Sequence, residues 1–401
     1  MRVRDGAEAE PSAVRAPMLR LLLVLTLVNA VAALAALCTA FYQRDGILMQ
    51  PNAPFGGDFV NLWTVGKLLL EDGLSTIYDP DAFMAFQTIF TQAPIGLRLW
   101  AYPPHSLLFA WPAGLPSFYA GFVIWSGLGL AVLVGGARRY GFEWRETAIL
   151  AGSPAALLCV YYGQTGNLFT GLMLIALAPR GRNGAAPLAA ALLTMKPQIG
   201  FLLPLLWIVQ RRWTTIVLAG ALFVALIAAA LALFGEQPWR DYLTLTAPLL
   251  STLEREGTGP FMLMIPSLFM SLRVLGLSGD AALAIHAGFA LIVFLLLARS
   301  LAARIGPQRQ AALLLVATCL IAPYVHVYDL TLLVAAALIL LRIGSAAPGT
   351  SRWLVVGACL AMGLAPYLTF MSSVLGAPVT PLVILVCFLA VGGAGNGSGQ
   401  K

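Results

Sequence analysis

Asp58 is the first side chain in the sequence whose position suggests chemistry. It follows the turn Pro54-Phe55-Gly56-Gly57 and precedes a predicted helix over Phe59–Leu70. An aspartate directly before a helix is a good N-cap, which is a purely structural role. The same carboxylate at a membrane surface can act as a general base. The two roles are compatible, because a capping residue can also face a cleft.

Lys196 lies between two apolar runs, Ala185–Met195 and Ile199–Ile208. A lysine at this depth costs a few kcal/mol and usually needs a partner. It is either an anchor whose ammonium group reaches the interface or a cation that binds a phosphate. The residues that follow it, Pro197 and Gln198, predict a rigid and polar turn.

His326 and Asp329 lie three residues apart at the start of a predicted helix, within the run Pro323-Tyr324-Val325-His326-Val327-Tyr328-Asp329. Residues with this spacing share one helix face. The two side chains therefore form either a neutral structural pair or a site that binds or protonates an anion.

Other polar side chains lie in turns between apolar runs. Gln164, Thr165 and Asn167 occupy one such turn, where they either satisfy backbone ends or face a site. Tyr102 and His105 flank a double proline, and His105 is expected to cap the helix that follows.

Two further features favour structural roles. His286 stands alone in an apolar helix, which is typical of a core histidine with satisfied ring nitrogens. Asp79-Pro80-Asp81 has the DxD spacing of metal–sugar-phosphate sites, but it directly precedes a predicted helix over Ala82–Thr91. Capping is therefore the favoured interpretation of this tripeptide.

The composition limits the class of protein that carries these residues. Of the 401 residues, 60% are hydrophobic and only 10% are charged, and the mean hydropathy is +0.86. Soluble domains carry about 25% charged residues. The sequence has no P-loop, dinucleotide-binding, zinc-protease or nucleophile-elbow motif. These observations exclude a soluble enzyme, a disordered chain and a disulfide scaffold.

The cysteines also fit a membrane protein. They stand singly in apolar runs and none has CxxC spacing, so we expect all of them to be buried small apolar residues. The five are Cys38, Cys159, Cys319, Cys359 and Cys387.

Apolar runs recur from end to end and predict an all-α polytopic membrane protein with about twelve transmembrane helices. Four runs between 147 and 210 are short and are expected to be tilted hairpins or buried half-helices. The predicted spans are 18–41, 117–137, 147–162, 166–178, 184–195, 198–210, 213–234, 281–301, 310–323, 326–342, 353–370 and 377–393.

Charge placement predicts the orientation. Arg2, Arg4 and Arg15 precede the first span and Arg20 stands at its start, so both termini are expected in the cytoplasm by the positive-inside rule. The net charge of +7 then reflects topology and indicates no nucleic-acid partner. The predicted organisation is a cytoplasmic tail at 1–17, one transmembrane domain at 18–393 and a flexible tail at 394–401.

Two predicted outer segments are long, 42–117 and 235–280, and long loops in compact proteins usually carry function. In the first, the helix over Phe59–Leu70 is expected to lie at the interface with Trp63 at headgroup depth. In the second, we expect helices over Trp239–Leu250 and Phe261–Leu275, with a loop at Glu254–Gly259.

These features, in this order, resemble the family 87 glycosyltransferases of the GT-C superfold, over about residues 50 to 345. Six short motifs carry the resemblance. They are Gly57-Asp58-Phe59 with Trp63 and Gly66, Tyr78-Asp79-Pro80, Tyr102-Pro103-Pro104, Gly163-Gln164 with Asn167, Lys196-Pro197-Gln198, and Pro323-Tyr324 with His326, Tyr328 and Asp329.

The resemblance implies an inverting transferase similar to polyprenol-phosphate-mannose-dependent α-mannosyltransferases. It implies that Asp58 is the catalytic base and that the donor phosphate binds near Lys196 and His326. In this scheme protonated His326 or an outer-loop arginine assists Lys196, and no metal or other cofactor is needed. The expected supporting residues are Trp63, Tyr102, His105, Gln164, Asn167, Gln198, Tyr324 and Asp329.

The expected partners are a polyprenyl-phosphate-linked sugar, a lipid or glycan acceptor and membrane lipids. The expected location is the bacterial inner membrane, with the active site on the outer face. A secondary transporter or lipid flippase is the main alternative, and a non-catalytic scaffold for envelope assembly is another. One outward cleft that contains Asp58, Lys196 and His326 would favour the transferase, whereas a central cavity open to both sides would favour transport.

Overall fold

The structure, a computed structural model, describes residues 15–50, 53–179, 181, 184–303, 305–344 and 352–393. Residues 1–14 of the predicted N-terminal tail, with Arg2 and Arg4, the predicted C-terminal tail with Lys401, and the bases Arg180, Arg182 and Arg304 lie outside these residues. Helices dominate the described part, where the only sheet is the hairpin of β1 (Leu48–Gln50) and β2 (Ala53–Pro54). The predicted all-α membrane class is confirmed.

The helices follow one another in chain order with short connections. They are α1 Arg15–Tyr42, α2 Phe59–Leu70, α3 Pro80–Thr91, α4 Leu107–Ala110, α5 Phe118–Tyr140, α6 Trp144–Ala151, α7 Pro154–Tyr161, α8 Gly166–Ala176, α9 Ala186–Leu193, α10 Pro197–Gly200, α11 Leu203–Val209, α12 Trp213–Phe234, α13 Gln237–Asp241, α14 Ala247–Glu256, α15 Leu268–Val274, α16 Gly279–Ala302, α17 Pro307–Ile321, α18 Thr331–Gly344, α19 Arg352–Gly363, α20 Ala365–Val374 and α21 Thr380–Gly393.

Several short 3₁₀ and π segments join these helices. The 3₁₀ turns are Leu74–Thr76, Pro104–Ser106, Trp111–Gly114, Pro260–Met264 and Val327–Leu330, and the π turn is Tyr242–Thr246.

Four helices in the described part of the chain are long and apolar enough to cross a membrane, namely α1, α5, α12 and α16. Helices α19 and α20 would provide a fifth span if they count as one, although they bend by 70° at their junction. The other predicted spans fall on shorter helices. Side chains of α1 and α12 are mostly exposed, as expected for helices that face lipid.

Three predicted spans are wrong as single helices, because a proline starts a new helix within each one. The span 147–162 breaks before Pro154 into α6 and α7, and 198–210 breaks before Pro204 into α10 and α11. The span 353–370 breaks before Pro366 into α19 and α20. Proline lacks an amide hydrogen and clashes with the preceding turn, so it is tolerated only in the first turn of a helix.

Helices α17 and α18 form the centre of the protein. Their side chains are buried around almost the whole circumference, and the two helices pack against each other and against α16, α19 and α21. A helix that is apolar on all sides belongs inside a bundle. This pair therefore provides the rigid core from which the preceding 3₁₀ turn, Val327–Leu330, projects.

The first outer segment is packed into the protein. Helix α2 has the predicted bounds, but Phe59, Val60 and Val65 are completely buried in a second core that includes Phe118 and Phe122. The apolar face that could have met lipid therefore meets protein, and the position of this helix at the membrane interface stays a prediction. An aromatic wall from the outer end of α5 covers its apolar face instead.

The second outer segment differs from its prediction at two points. The helix expected over Phe261–Leu275 is divided into the 3₁₀ turn Pro260–Met264 and helix α15. Helix α14 continues through Glu254 to Glu256, so the loop expected at Glu254–Gly259 begins only at Gly257. A buried hydrogen bond joins the two outer segments, since the Thr246 hydroxyl donates to the Tyr78 carbonyl at 2.8 Å.

The end of the bundle away from these segments is held by charged side chains. Buried Glu146 accepts hydrogen bonds from Arg15 and Arg342, which joins α6 to α1 and α18. Both arginines are on the side predicted to be cytoplasmic. The structure thus separates this charged cluster from the outer segments by the length of α18, whose 14 residues span about 20 Å.

Candidate active site

Asp58 lies where the turn after β2 enters α2. Its backbone amide donates to the Tyr162 carbonyl at 3.0 Å. Its side chain makes no capping hydrogen bond, so the N-cap interpretation is wrong for the carboxylate. Instead, the Arg98 guanidinium donates to Oδ1, and the Gln164 side chain donates to Oδ2 at 2.5 Å. The Asp58 side chain remains 42% exposed, which leaves it open to a substrate.

Gly163 permits the close approach that positions Asp58. Its φ is +59°, in the left-handed region that favours glycine. A Cβ atom at this position would lie 2.5 Å from the Gly56 carbonyl oxygen and 2.5 Å from the Phe59 Cβ. The turn after α7 can therefore touch the turn before α2 only with glycine here.

The turn 164–167 connects the parts of the site. Gln164 contacts Asp58, as described above, and the hydroxyls of Thr165 and Tyr102 lie 2.8 Å apart. Gly166 packs so closely on the Tyr328 backbone that a Cβ would lie 2.2 Å from its carbonyl oxygen. Asn167 donates to the Ala156 carbonyl at 3.0 Å. Of the three polar side chains in this turn, only Asn167 therefore satisfies a backbone group, which was one of the two interpretations of the turn.

Lys196 forms a buried ion pair. Its Nζ lies 2.6 and 2.7 Å from the two carboxylate oxygens of Asp329, and 5.4 Å from the centre of the Tyr328 ring. The Lys196 side chain is 9% exposed and that of Asp329 is 1% exposed. Lys196 is therefore not an anchor that reaches the interface. Its charge is neutralised by a partner 133 residues away in the sequence.

His326 lies beside this ion pair. Its backbone amide donates to Asp329 Oδ2 at 3.2 Å, and its ring stacks on Tyr328 with centroids 5.0 Å apart. Burial lowers the pKa of His326, and the charge of Lys196 lowers it further, whereas Asp329 and Asp58 act in the opposite direction. The shift favours a neutral ring at pH 7, which corrects the expectation of a protonated His326.

Tyr102 and His105 come from the aromatic turn after Arg98. The Tyr78 hydroxyl donates to the Tyr102 carbonyl at 2.8 Å. Burial raises the pKa of Tyr102, and the nearby charges of Asp329 and Asp58 raise it further. Tyr102 therefore stays protonated and can donate a hydrogen bond within the site.

His105 is almost fully buried and makes no capping hydrogen bond, so the expectation that it caps the next helix is wrong. Its Nε2 lies 3.1 Å from the Thr194 hydroxyl, and its ring stacks on Trp239. Burial lowers its pKa to about 4, so it is neutral at physiological pH. Because Thr194 directly precedes Met195 and Lys196, His105 connects the first outer segment to the lysine.

Three other expected residues have mainly structural contacts. The Trp63 indole donates to the Pro116 carbonyl at 3.2 Å and packs on Phe90 and Phe118. Gln198 is half-buried in α10. The Tyr324 ring packs on Phe269 from the second outer segment.

The alternatives for Asp79 and His286 are resolved by their hydrogen bonds. Asp79 caps α3 by accepting from the amides of Asp81 and Ala82. Both ring nitrogens of His286 have partners, the Phe269 amide and the Ile321 carbonyl, so the core interpretation is confirmed. Within the described residues, no group of three or more His, Cys, Asp or Glu is placed to hold a metal ion.

Four of the five cysteines are buried as predicted. Cys38 is the exception, because it lies on the exposed surface of α1.

Arg98 is a functional candidate that the sequence did not single out, although an outer-loop arginine was expected to assist Lys196. It is the only Lys or Arg between Lys67 and Arg138, a stretch of 70 residues in which a single base stands out. This isolation was the signal that could have identified Arg98. Its pairing with Asp58 could not be predicted, because the two residues are 40 positions apart and the segment between them has no simple repeat.

The site is electrically balanced and open at one side. Two carboxylates, Asp58 and Asp329, are matched by two cations, Arg98 and Lys196. Turn 164–167 and the 3₁₀ turn before α18 bring all four to the same end of the bundle. In such a site the exposed carboxylate can accept a proton, and the half-buried Arg98 and buried Lys196 can stabilise an anion.

Together, the fold and the site define a polytopic membrane protein whose polar residues converge at one end of its helices. This arrangement is the one expected of a transferase. A family model described as glycosyltransferase family 87 matches residues 100–323, more than half of the chain. The chain belongs to glycosyltransferase family 87, and it is a membrane glycosyltransferase that uses a sugar donor and an acceptor. Asp58 precedes the matched residues, and His326 and Asp329 follow them. No match was found among curated proteins or among solved structures.

Proposed function

We propose that the enzyme transfers a hexose, with mannose as the first candidate, from a polyprenyl-phosphate donor to a lipid-linked or envelope glycan. We further propose that transfer takes place at the outer face of the bacterial inner membrane and inverts the anomeric carbon. The observation that carries this proposal is the position of Asp58, an exposed carboxylate in the same site as the buried pair of Lys196 and Asp329.

The proposed reaction is a single displacement. An acceptor hydroxyl attacks the anomeric carbon while the bond from that carbon to the phosphate oxygen breaks. Asp58 takes the hydroxyl proton, and a positioned base of this kind typically contributes about 10²–10⁴-fold. Polyprenyl phosphate leaves with the bonding electron pair. Because Asp58 is open to solvent, the proton can then pass to water.

The leaving group is a phosphate, which is already a weak base and needs positive charge more than it needs an acid. We assign this role to Lys196, whose third N–H remains after two contacts with Asp329. Neutral His326 would contribute as a hydrogen-bonding neighbour. Protein cations supply the stabilisation in this scheme, so it uses no metal or other cofactor.

A lipid substrate needs an apolar surface beside the reacting groups. A groove of about 610 Å³ lies between the outer ends of α1 and α5, lined by Phe41, Phe55 and Phe122. Phe55 is three residues from Asp58, and Arg44 lines the same groove. This position supports a substrate whose hydrocarbon chain lies along the helices and whose headgroup reaches Asp58.

A transfer assay tests the proposal. Purified enzyme in nanodiscs would receive radiolabelled polyprenyl-phosphate-mannose and total membrane lipid. We expect labelled product from the wild type and from Asp81→Asn, which changes an exposed carboxylate in the same outer segment. We expect no product from Asp58→Asn. Transfer retained by well-folded Asp58→Asn would exclude Asp58 as the base, and a lack of donor binding by the wild type would exclude this donor.

A further inference from the structure

The Arg98–Asp58 contact poses a problem for the proposed base. Arg98 occupies Oδ1 of Asp58 and Gln164 occupies Oδ2, so an acceptor hydroxyl must compete with a guanidinium group. Arg98 itself has an unsatisfied donor, because its Nε is buried without a hydrogen-bond partner. A guanidinium group has five N–H donors in a planar fork that matches phosphate. Arg98 therefore has unused capacity for a second anion.

The charge balance indicates that a bound phosphate must take a cation from an existing pair. Two carboxylates and two cations cancel in the site as it stands, and the pKa shift of His326 favours its neutral form. A phosphodiester would add one negative charge. Within the two ion pairs of the site, the cations that can neutralise it are Lys196 and Arg98.

The two ion pairs differ in how easily they can open. Separating Lys196 from Asp329 would leave a carboxylate that is 1% exposed without a counter-charge, which is strongly unfavourable. Asp58 is 42% exposed, so water or an acceptor hydroxyl can replace Arg98 there. Arg98 is also in a segment, 92–103, without helix or strand, next to exposed Gly96 and Leu97. Its side chain can therefore reorient while the helices stay fixed.

We propose that Arg98 binds the phosphate of the lipid-linked donor and that this contact releases Asp58 to act as the base. This inference rests on the proposed function and adds a donor-binding residue to it. It also sets an order of events. Donor binding moves Arg98 from Asp58 to phosphate, and only then can Oδ1 accept the hydrogen of the acceptor hydroxyl. The empty enzyme thereby keeps its base occupied until a donor is bound.

The inference predicts that removing the base improves donor binding. The probe is a short-chain polyprenyl phosphate titrated against purified enzyme in nanodiscs. We expect Asp58→Asn to bind the probe several-fold more tightly than the wild type, because Arg98 no longer has a competing carboxylate. We expect Arg98→Gln to bind it about tenfold more weakly, the effect of losing one charge-assisted contact. The gain from Asp58→Asn should disappear in the double variant with Arg98→Gln.

A matched control and a second measurement complete the test. Arg240→Gln removes an exposed arginine of the second outer segment, which pairs with Glu236, and should bind like the wild type. In the transfer assay, Arg98→Gln should raise the KM for the donor while the KM for the acceptor stays unchanged. Thermal unfolding of each variant identifies any loss of fold.

The outcomes separate the inference from the proposed function. If the wild type binds the probe but Asp58→Asn binds it equally or more weakly, Arg98 is not released by the donor and the inference is overturned while the donor class stands. If Asp58→Asn gains affinity with or without Arg98, another cation binds the phosphate and the inference is also overturned. If folded wild type binds no polyprenyl phosphate, the proposed donor class is wrong, and the inference that rests on it is overturned as well.

Discussion

At the scale of single residues, the site depends on two ion pairs with different environments. The Arg98–Asp58 pair is partly open to solvent, whereas the Lys196–Asp329 pair is buried among Tyr328 and the ends of the central helices. Exposed pairs contribute little to stability, about 0–1 kcal/mol, because solvent screens them. A buried pair behaves differently when it is broken, because the remaining charge has no compensation.

This difference gives a stability prediction for Lys196. Lys196→Met should lower the free energy of unfolding by about 3–5 kcal/mol, because it leaves Asp329 buried and unpaired. Adding Asp329→Asn removes that charge and keeps a side-chain oxygen for the His326 amide, so the double variant should recover much of the loss. Thermal unfolding in detergent measures both. A double variant no more stable than Lys196→Met would show that the lost pairing is not the cause.

The sequence predicts the reactive residue types at this scale but not their partners. Asp58, Lys196 and His326 stand out because each is polar in a chain with 10% charged residues. The partners of Asp58 lie 40 and 106 positions away and that of Lys196 lies 133 positions away, and packing brings them near. No local pattern encodes such contacts. The lowered pKa of His326 was missed for the same reason, because it follows from burial that only the folded chain reveals.

At the scale of elements, the second outer segment contributes a titratable group that faces the site turn. The Tyr324 hydroxyl interacts with the carboxyl group of Glu254 in α14, and Arg273 donates to the Glu254 carbonyl at 3.1 Å. Arg255, the next residue, is a further nearby charge and pairs with Asp280. Burial raises the pKa of Glu254 to about 7, although the hydrogen bond from Tyr324 lowers it. The packing of α14 on the loop before α18 therefore depends on whether Glu254 is protonated.

The raised pKa of Glu254 gives a pH-dependent prediction. The folded protein holds this proton up to about pH 7, whereas the unfolded chain loses it near pH 4.5. Folded stability should thus fall as pH rises between these values. Glu254→Gln keeps an acceptor for Tyr324 but cannot ionise. Its melting temperature should exceed that of the wild type at pH 8, by the equivalent of about 3 kcal/mol, and should match it near pH 4.5.

Glu256→Gln provides the control for this measurement, because Glu256 is exposed on the same helix. It should follow the wild type across the pH range. A Glu254→Gln variant whose advantage is the same at both pH values would contradict the assignment of the titration to Glu254.

Local chemistry predicts some elements well and others poorly. Helix α2 has the predicted bounds, and α3 starts two residues early because Asp79 caps it. The prolines themselves predict the helix breaks before Pro154, Pro204 and Pro366. The apolar runs continue past these prolines, and their length led to the wrong prediction of uninterrupted spans. The burial of α2 could not be predicted from the sequence, because an apolar helix face can meet either lipid or protein. Its cover is an aromatic wall from α5, and only tertiary structure selects it.

At the scale of the whole molecule, the two ends of the bundle have different tasks. One end holds the site, where each carboxylate has a cation and one pair is partly open. The other end holds Glu146 with Arg15 and Arg342, which fixes α1, α6 and α18 to one another. The central helix α18 begins next to Asp329 and ends at Arg342, so it joins the two clusters rigidly. This separation is what a membrane enzyme needs if its chemistry belongs to one side only.

The side that faces outward decides which donors the enzyme can reach, and accessible cysteines can identify it. We predict that Thr252→Cys in α14 reacts with a membrane-impermeant maleimide in intact spheroplasts, whereas Arg145→Cys in α6 reacts only after permeabilisation. Both positions are exposed and lie in the two opposite ends of the bundle. The background is Cys38→Ala, because Cys38 is the exposed native thiol among the described residues. The reverse labelling pattern would place Asp58 on the cytoplasmic side, where water-soluble sugar donors are present. That outcome would exclude a lipid-linked donor at the outer face.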